Sequence, residues 1–411
     1  MRKTPLAILI LAMPLAGFAQ ETSLSLENAI KFALEKNPSV QASGLEVSRQ
    51  QQLNKTSVDI PKTDVSLMYG QYNSIQKNDN NITISQSIPF PTVFGSQSSL
   101  NKALVNSAML KESVTKNELS FQVKQVFNQL VYLKERQHTL LQHDSLLTDL
   151  ARAATVQYKT GEGTLLARTS ADTQLMEIKN LIARNDADIR IALNHLQLLC
   201  QSKQITDVVG DQETLVSFNT VDSSSIDQNP SLALITNNIE VSRRMKKLEV
   251  SRTLPDLRIG YFNQTLIGTQ NINGTDQYFG SSKRFQGFQA GIGIPLWFGP
   301  HTARIKAANI ETQVAEKQKE SFQLAITHQY NQAIEELMKN KNSLSYYRDS
   351  ALETANLLTS QSRKAFKSGE LDYTTLLLNL RQSLAIREGY LLALQQYNQS
   401  IITIQFLNGN K

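Results

Sequence analysis

The spacing of hydrophobic positions changes several times along the chain, and each change predicts a new element. Leu26, Ala29, Ile30, Ala33 and Leu34 recur at helical intervals behind Ser25, a residue type that caps helix N-termini. Asn37-Pro38 interrupts this helix, because the residue before proline avoids helical geometry, and a second helical stretch runs to about Val58 before Pro61 ends it. From Val65 to Asn73 the period falls to two, with Val65, Leu67 and Tyr69 on one side and Ser66, Met68 and Gly70 on the other. After a polar loop, Ile82, Ile84 and Ile88 alternate with Thr83, Ser85 and Ser87, which predicts a β-hairpin with one apolar face. A long helix follows. Leu119, Val123, Val126, Leu130, Leu133, Leu140, Leu147, Ala151 and Ala154 keep a three-four spacing, and the ~60 residues from Gln97 to Gln157 would measure ~90 Å as a helix. Gly161 then permits a tight reversal into a returning helix.

This plan is written twice. Asn37-Pro38-Ser39-Val40 recurs as Asn229-Pro230-Ser231-Leu232, Glu46-Val47-Ser48-Arg49 as Glu240-Val241-Ser242-Arg243, and Ile60-Pro61 as Leu254-Pro255. Ile88-Pro89-Phe90 with Phe94-Gly95 recurs as Ile294-Pro295-Leu296 with Phe298-Gly299, and Tyr158-Lys159-Thr160-Gly161-Glu162 as Phe366-Lys367-Ser368-Gly369-Glu370. Matches in the same order argue for duplication rather than chance. The first copy covers residues 20–200, with hairpin strands at about 62–73 and 81–89. The second covers 226–407, with strands at about 256–267 and 285–295 joined by a longer Asn/Gly-rich loop. Residues 201–225 read as a polar linker and 408–411 as a tail. In the second copy Leu337, Leu344, Ala351, Leu358 and Ala365 follow a heptad, the coiled-coil period.

Composition narrows the function classes. Arg2 and Lys3, an apolar run from Leu6 to Leu15, then Gly17 and Ala19 predict a signal peptide over residues 1–19, cleaved after Ala19, and therefore an exported protein. No later apolar run reaches the ~20 residues of a spanning helix, so any membrane crossing is made by strands. A single cysteine, Cys200, excludes an intrachain disulfide framework and a multi-cysteine metal cluster. The net charge of +6 is small for 411 residues and is not gathered into one tract, which disfavours nucleic acid as a partner. His138, His143, His195, His301 and His328 form no ligand-spaced pair, and no phosphate loop, nucleophile elbow or zinc-protease motif occurs. The reading is of a non-enzymatic protein with no cofactor, no metal site and no catalytic residue.

Two hairpins supply too few strands for a closed barrel, which takes about eight, and open edges are untenable in lipid. Strands pooled from three chains would reach an even twelve. An ordinary soluble α+β domain also alternates strands with amphipathic helices, but it seldom carries such long helices twice beside paired hairpins.

The opening Leu24-Ser25-Leu26-Glu27-Asn28-Ala29-Ile30 through Ala33-Leu34 to Asn37-Pro38 resembles the first motif of the TolC family of outer-membrane efflux proteins. The Ile-Pro elements leading to Phe94-Gly95 and Phe298-Gly299, and the Tyr158-x-x-Gly161 and Phe366-x-x-Gly369 turns, resemble that family's strand-to-helix junctions and periplasmic tips. The resemblance implies a mainly α fold with membrane β, built as a homotrimer in which a twelve-stranded β-barrel in the outer membrane continues into a twelve-helix α-barrel in the periplasm. It also implies a passive duct that receives cargo from an inner-membrane pump through a periplasmic adaptor, the pump supplying the energy. By the same resemblance Tyr158, Lys159, Gly161, Phe366, Lys367 and Gly369 form the adaptor-docking tips. Where the family often carries an acidic ring selecting cations, this chain has Ala167 and Ser170 in the first copy and Thr375 and Leu378 in the second. Glu162, Glu370 and Asp372 remain as acidic candidates for the entrance. Ile294-Pro295-Leu296-Trp297-Phe298-Gly299-Pro300-His301 with Arg304 is most similar to the branch serving heavy-metal resistance-nodulation-division pumps. Multidrug efflux and type I secretion channels are the alternatives, and a non-porating periplasmic coiled-coil protein is the alternative of another class.

Overall fold

The computed structural model describes residues 22–72, 75–210 and 223–409. The expected signal peptide over residues 1–19 and Gln20, the expected first mature residue, lie outside the described residues. The first half runs β1 (Thr22–Leu24), α1 (Leu26–Lys36), α2 (Pro38–Asn54), β2 (Asp64–Tyr69), β3 (Asn80–Ile88), α3 (Pro91–Thr160), α4 (Leu165–Cys200) and β4 (Ile205–Val208). The second runs α5 (Pro230–Ser251), β5 (Asp256–Gln264), β6 (Gly268–Ile272), β7 (Thr275–Phe279), β8 (Phe285–Gly293), α6 (Phe298–Tyr346), α7 (Leu352–Lys367) and α8 (Tyr373–Leu407). Ser25 caps α1 by accepting from Asn28 N–H, and Asn229 caps α5 by accepting from Ser231 and Leu232 N–H, with proline at the position after it.

Contacts gather the chain into two compact units. One takes the described residues up to Asn37, then 119–219 and 334–403; the other takes 38–118, 220–333 and the residues after 403.

In the first unit β1 and β4 pair in parallel, so part of the stretch expected to be a linker is a strand. Lys134 Nζ ties it to the helices through Asp207 at 2.7 Å and the Val208 carbonyl at 2.9 Å. Buried asparagines fix helix register. Asn37 donates to Leu199 O, Asn128 to Gln395 O, Asn185 to Leu133 O and Asn340 to Gln396 O, each at 2.9–3.3 Å. Each amide uses the spare lone pair of a carbonyl on a neighbouring helix, so sliding one helix strands a buried donor at a cost of about 1–3 kcal/mol. The expected heptad run is not one regular helix: a π-turn at Tyr347–Ala351 separates α6 from α7. There Tyr347 fills the space beside Gly389, where a Cβ would lie 2.6 Å from its hydroxyl oxygen.

In the second unit the same device recurs, with Asn101 donating to Leu53 O, Asn117 to Phe406 O, Asn229 to Leu407 O and Asn237 to Ala103 O. Asn408, the first residue of the expected tail, is fully buried there. The unit's four-stranded antiparallel sheet has the order β2-β3-β5-β8. Directly paired residues share a face, and the register gives one mainly apolar face, interrupted by Asn80, Gln86, Asn263 and Gln286, and one mainly polar face that also carries Met68, Phe262 and Phe285. Val65, Leu67, Tyr69, Ile82, Ile84, Ile88, Leu257, Ile259, Tyr261, Phe288, Ala290 and Ile292 take one face. Ser66, Thr83, Ser85, Ser87, Arg258, Gly260, Gln289 and Gly291 take the other. On this second face the Phe262 ring lies over its partner Gly287, where a Cβ would come within 2.8 Å.

The Asn/Gly-rich loop expected between β5 and β8 contains the hairpin β6–β7, turned by Asn273 and Gly274 at φ 54° and 81°. Asp79, fully buried, anchors its base by accepting from Thr265 Oγ1 at 2.9 Å and Ile267 N–H at 3.0 Å.

Candidate functional site: the two helix-to-helix turns

Both turns expected to be tips lie in the first unit, α3 turning into α4 and α7 into α8. Their backbones follow one solution. Gly161 at φ 83° donates to Tyr158 O and Glu162 N–H reaches Gln157 O; Gly369 at φ 77° donates to Phe366 O and Glu370 N–H reaches Ala365 O. This pair of bonds satisfies carbonyls that the helix end would otherwise orphan, and the positive φ that closes it favours glycine. The returning helix then needs an N-cap. Thr164 Oγ1 accepts from Ala167 N–H at 3.1 Å, and Asp372 Oδ1 accepts from Thr375 N–H at 2.7 Å. That hydrogen bond to the charged form holds the Asp372 carboxyl below the usual carboxylate range.

The side chains then diverge. Phe366 is half-buried and meets Tyr373 edge-on, with centroids 5.4 Å apart. Tyr158 stays exposed, with the Arg168 guanidinium 5.5 Å from its ring centroid. Arg168 also faces Asp172 at 3.7 Å. Lys159, Lys367, Glu162 and Glu370 are exposed. Both lysines stand in the last turn of their helices, where cations complement the partial negative charge of the carbonyl end.

One apolar cluster supports both turns. Leu140, Leu147, Ala151 and Ala154 of α3, Ala171 and Ile178 of α4, and Tyr373 and Leu377 of α8 form it, with Phe366 and Ala167 packed against it. Ser170 and Thr375 are half-buried and Leu378 is 63% exposed, so the four positions expected in place of an acidic ring do not share one environment. Tyr373 was not singled out from sequence. Its hydroxyl is buried without a partner, and burial pushes its pKa up. Thr164 was readable as a Thr ahead of a helical run.

Beyond the cluster, a cavity of ≈ 210 Å³ lies among α3, α4 and α8, lined by His143, Glu177, Leu181, Leu380, Arg381 and Glu388 among others. Burial, then the charge of Arg387, lowers the His143 pKa to about 4, so the imidazole is neutral at physiological pH. Arg136 takes one oxygen of Glu388 at 2.7 Å. Among the described residues no group of three or more His, Cys, Asp or Glu side chains is placed to hold a metal ion.

No family model matches the chain, and no curated protein matches it either. Solved structures do. The outer-membrane channel OprN superposes with a TM-score of 0.78 over 94% of this chain and 90% of its own, at 15% identity. CusC, solved in work on folding and transmembrane channel formation, gives 0.78 over 94% and 92%, at 14% identity. The outer membrane protein VceC of Vibrio cholerae gives 0.77 over 93% and 96%, at 12% identity. The chain has the fold of outer-membrane channel proteins.

Proposed function

We propose that the chain is the outer-membrane channel subunit of a tripartite efflux system, a passive duct belonging to the TolC family. The observation that carries this reading is the sheet of the second unit. Its apolar face stands open, with Val65 and Leu67 each 66% and Phe288 88% exposed, and its outer strands β2 and β8 each have one unpaired edge among the described residues. An apolar face of this extent requires cover, and open edges require partners. Three copies joining β8 to β2 close a twelve-stranded barrel, which puts the apolar face in lipid and the polar, glycine-lined face around a water-filled lumen. No helix of the described residues is long and apolar enough to cross a membrane, which leaves the strands to do so. The duplication gives each subunit two hairpins and two turns, and the helices assemble into a periplasmic tube.

The turns are the docking points for a periplasmic adaptor, which links the duct to an inner-membrane pump. Tyr158, Lys159, Phe366 and Lys367 supply the contacts, Gly161 and Gly369 shape them, and Glu162, Glu370, Asp372 and the Ala167, Ser170, Thr375 and Leu378 positions line the entrance. The cargo we infer is heavy-metal cations, on the Trp297-Phe298-Gly299-Pro300-His301 stretch with Arg304; drug or protein export would use the same duct.

Mass measurement in detergent and conductance in planar bilayers test the channel. A trimer with discrete conductance steps is expected, and a monomer that conducts nothing refutes it. A deletion strain challenged with copper, zinc, cobalt, cadmium and a drug panel tests the cargo: selective metal sensitivity is expected, and sensitivity to drugs alone overturns the metal assignment.

A further inference from the structure

The chain leaves β8 through Ile294-Pro295-Leu296-Trp297 into Phe298, the first residue of α6. Ile294, Leu296, Trp297 and Phe298 are 60%, 77%, 83% and 61% exposed. The related junction after β3 has similar composition, yet Ile88, Phe90, Val93 and Phe94 are half-buried. Exposure is therefore a property of the second junction, not of its motif.

Basic charge differs more modestly. Both junctions lie in acid-free stretches, residues 80–111 and 277–310, but the second is followed closely by two cations, Arg304 and Lys306, where the first is followed by Lys102. Arg304 and Lys306 are exposed on the opening turns of α6, whose unpaired amides add the positive end of a helix dipole. The acid nearest in register, Asp256, pairs with Gly293 and belongs to the polar face of the sheet, away from Ile292.

We propose that Leu296, Trp297 and Phe298 form an interfacial anchor seated in the periplasmic leaflet of the outer membrane, with Arg304 and Lys306 holding the headgroups of anionic phospholipids. This deepens the barrel reading and rests on it. Continuity selects lipid as the occupant, since Ile292 on the apolar face and Ile294 beyond the strand end carry that surface directly into the loop. Indole rings favour the headgroup level of a bilayer, and an anionic surface attracts adjacent Lys and Arg. The competing occupant is a neighbouring copy, because β8 is an edge strand.

Trp297 is the only tryptophan of the chain, so its emission reports on this site alone. Full-length protein reconstituted in mixed phosphatidylcholine and phosphatidylglycerol vesicles, with one lipid or the other brominated, is expected to show blue-shifted emission. Bromine near the headgroup end of the acyl chain quenches it more than bromine near the methyl end. Phosphatidylglycerol is preferred by roughly threefold to fivefold, and the Arg304→Gln, Lys306→Gln double variant loses that preference while keeping the blue shift. Blue-shifted emission that no brominated lipid quenches assigns Trp297 to a subunit contact and overturns the anchor. Water-like emission quenched by iodide overturns it as well, and equal quenching by the two lipids overturns the headgroup assignment. Conductance of the same vesicles separates the two levels: conducting channels with an unquenched Trp297 sink the anchor alone, whereas protein that neither floats with vesicles nor conducts sinks the barrel.

Discussion

The α3–α4 and α7–α8 turns share a backbone and differ in what holds them. The second is fastened from inside: Phe366 packs on Tyr373 over the shared cluster, and a charged residue, Asp372, caps the returning helix. The first is fastened from the surface, where Tyr158 lies by Arg168 in solvent, a neutral Thr164 makes the cap, and Gly163 stands where the second has Leu371. The lesson is that glycine geometry builds the reversal, while the aromatic side chain three residues before the glycine decides whether the turn is structural or presented. The second turn is the firmer of the two; the first offers the more accessible aromatic.

The largest expected effect tests that division directly. Phe366→Ala removes a half-buried ring from the cluster and should destabilise the chain by roughly 2 kcal/mol, against well under ~1 kcal/mol for Tyr158→Ala. Denaturant unfolding of the two variants measures this, and equal losses break the comparison. Next, Gly163→Ala should cost about 1–2 kcal/mol, because the new Cβ would sit 3.0–3.1 Å from Gln157 and the Tyr158 nitrogen. Leu371→Ala, its counterpart, meets no such obstacle, and thermal melts of the pair should differ accordingly.

The caps should separate with pH. The Thr375 N–H bond lowers the Asp372 pKa in the folded chain. Its contribution is therefore complete above the unfolded carboxylate value of about 3.9 and is lost as pH falls through the folded value. Hydrogen exchange, corrected for intrinsic rate, should quicken at the start of α8 below about pH 4 and stay unchanged at the start of α4. Equal behaviour at both ends would show that the cap identity is immaterial. The smallest effect is expected from Tyr373→Phe. The hydroxyl it removes has no partner, so stability should stay within about 0.5 kcal/mol of the parent or rise slightly, and calorimetry reads which.

Much of this architecture was legible because periodicity records burial. The two-residue alternation at Val65–Tyr69 and Ile82–Ile88 coincides with β2 and β3, and the three-four spacing from Leu119 to Ala154 lies within α3. The register pins were not legible, since Asn128 or Asn185 in a helix reads as a surface polar residue until its carbonyl partner on another helix is known. Asn273-Gly274 carried the hairpin signal, yet Thr269-Gln270-Asn271 before it and Thr275-Asp276-Gln277 after it are polar, and the segment passed for a loop. The π-turn at Tyr347 left no trace in the heptad, because an inserted residue is invisible where leucines and alanines continue to fall in phase. At the candidate site the glycines were readable from their turn chemistry. The buried Tyr373 was not, because its burial depends on α3 and α4, remote in sequence.

The unpaired edges of β2 and β8 have a genetic consequence. A subunit with a proline in β8 still offers an intact β2, so it joins normal copies and leaves the ring open. In the proposed trimer, equal expression of altered and normal chains leaves about one assembly in eight wholly normal. Lesions on this edge would therefore be dominant, whereas a lesion that prevents the chain from folding would be silent beside a good copy.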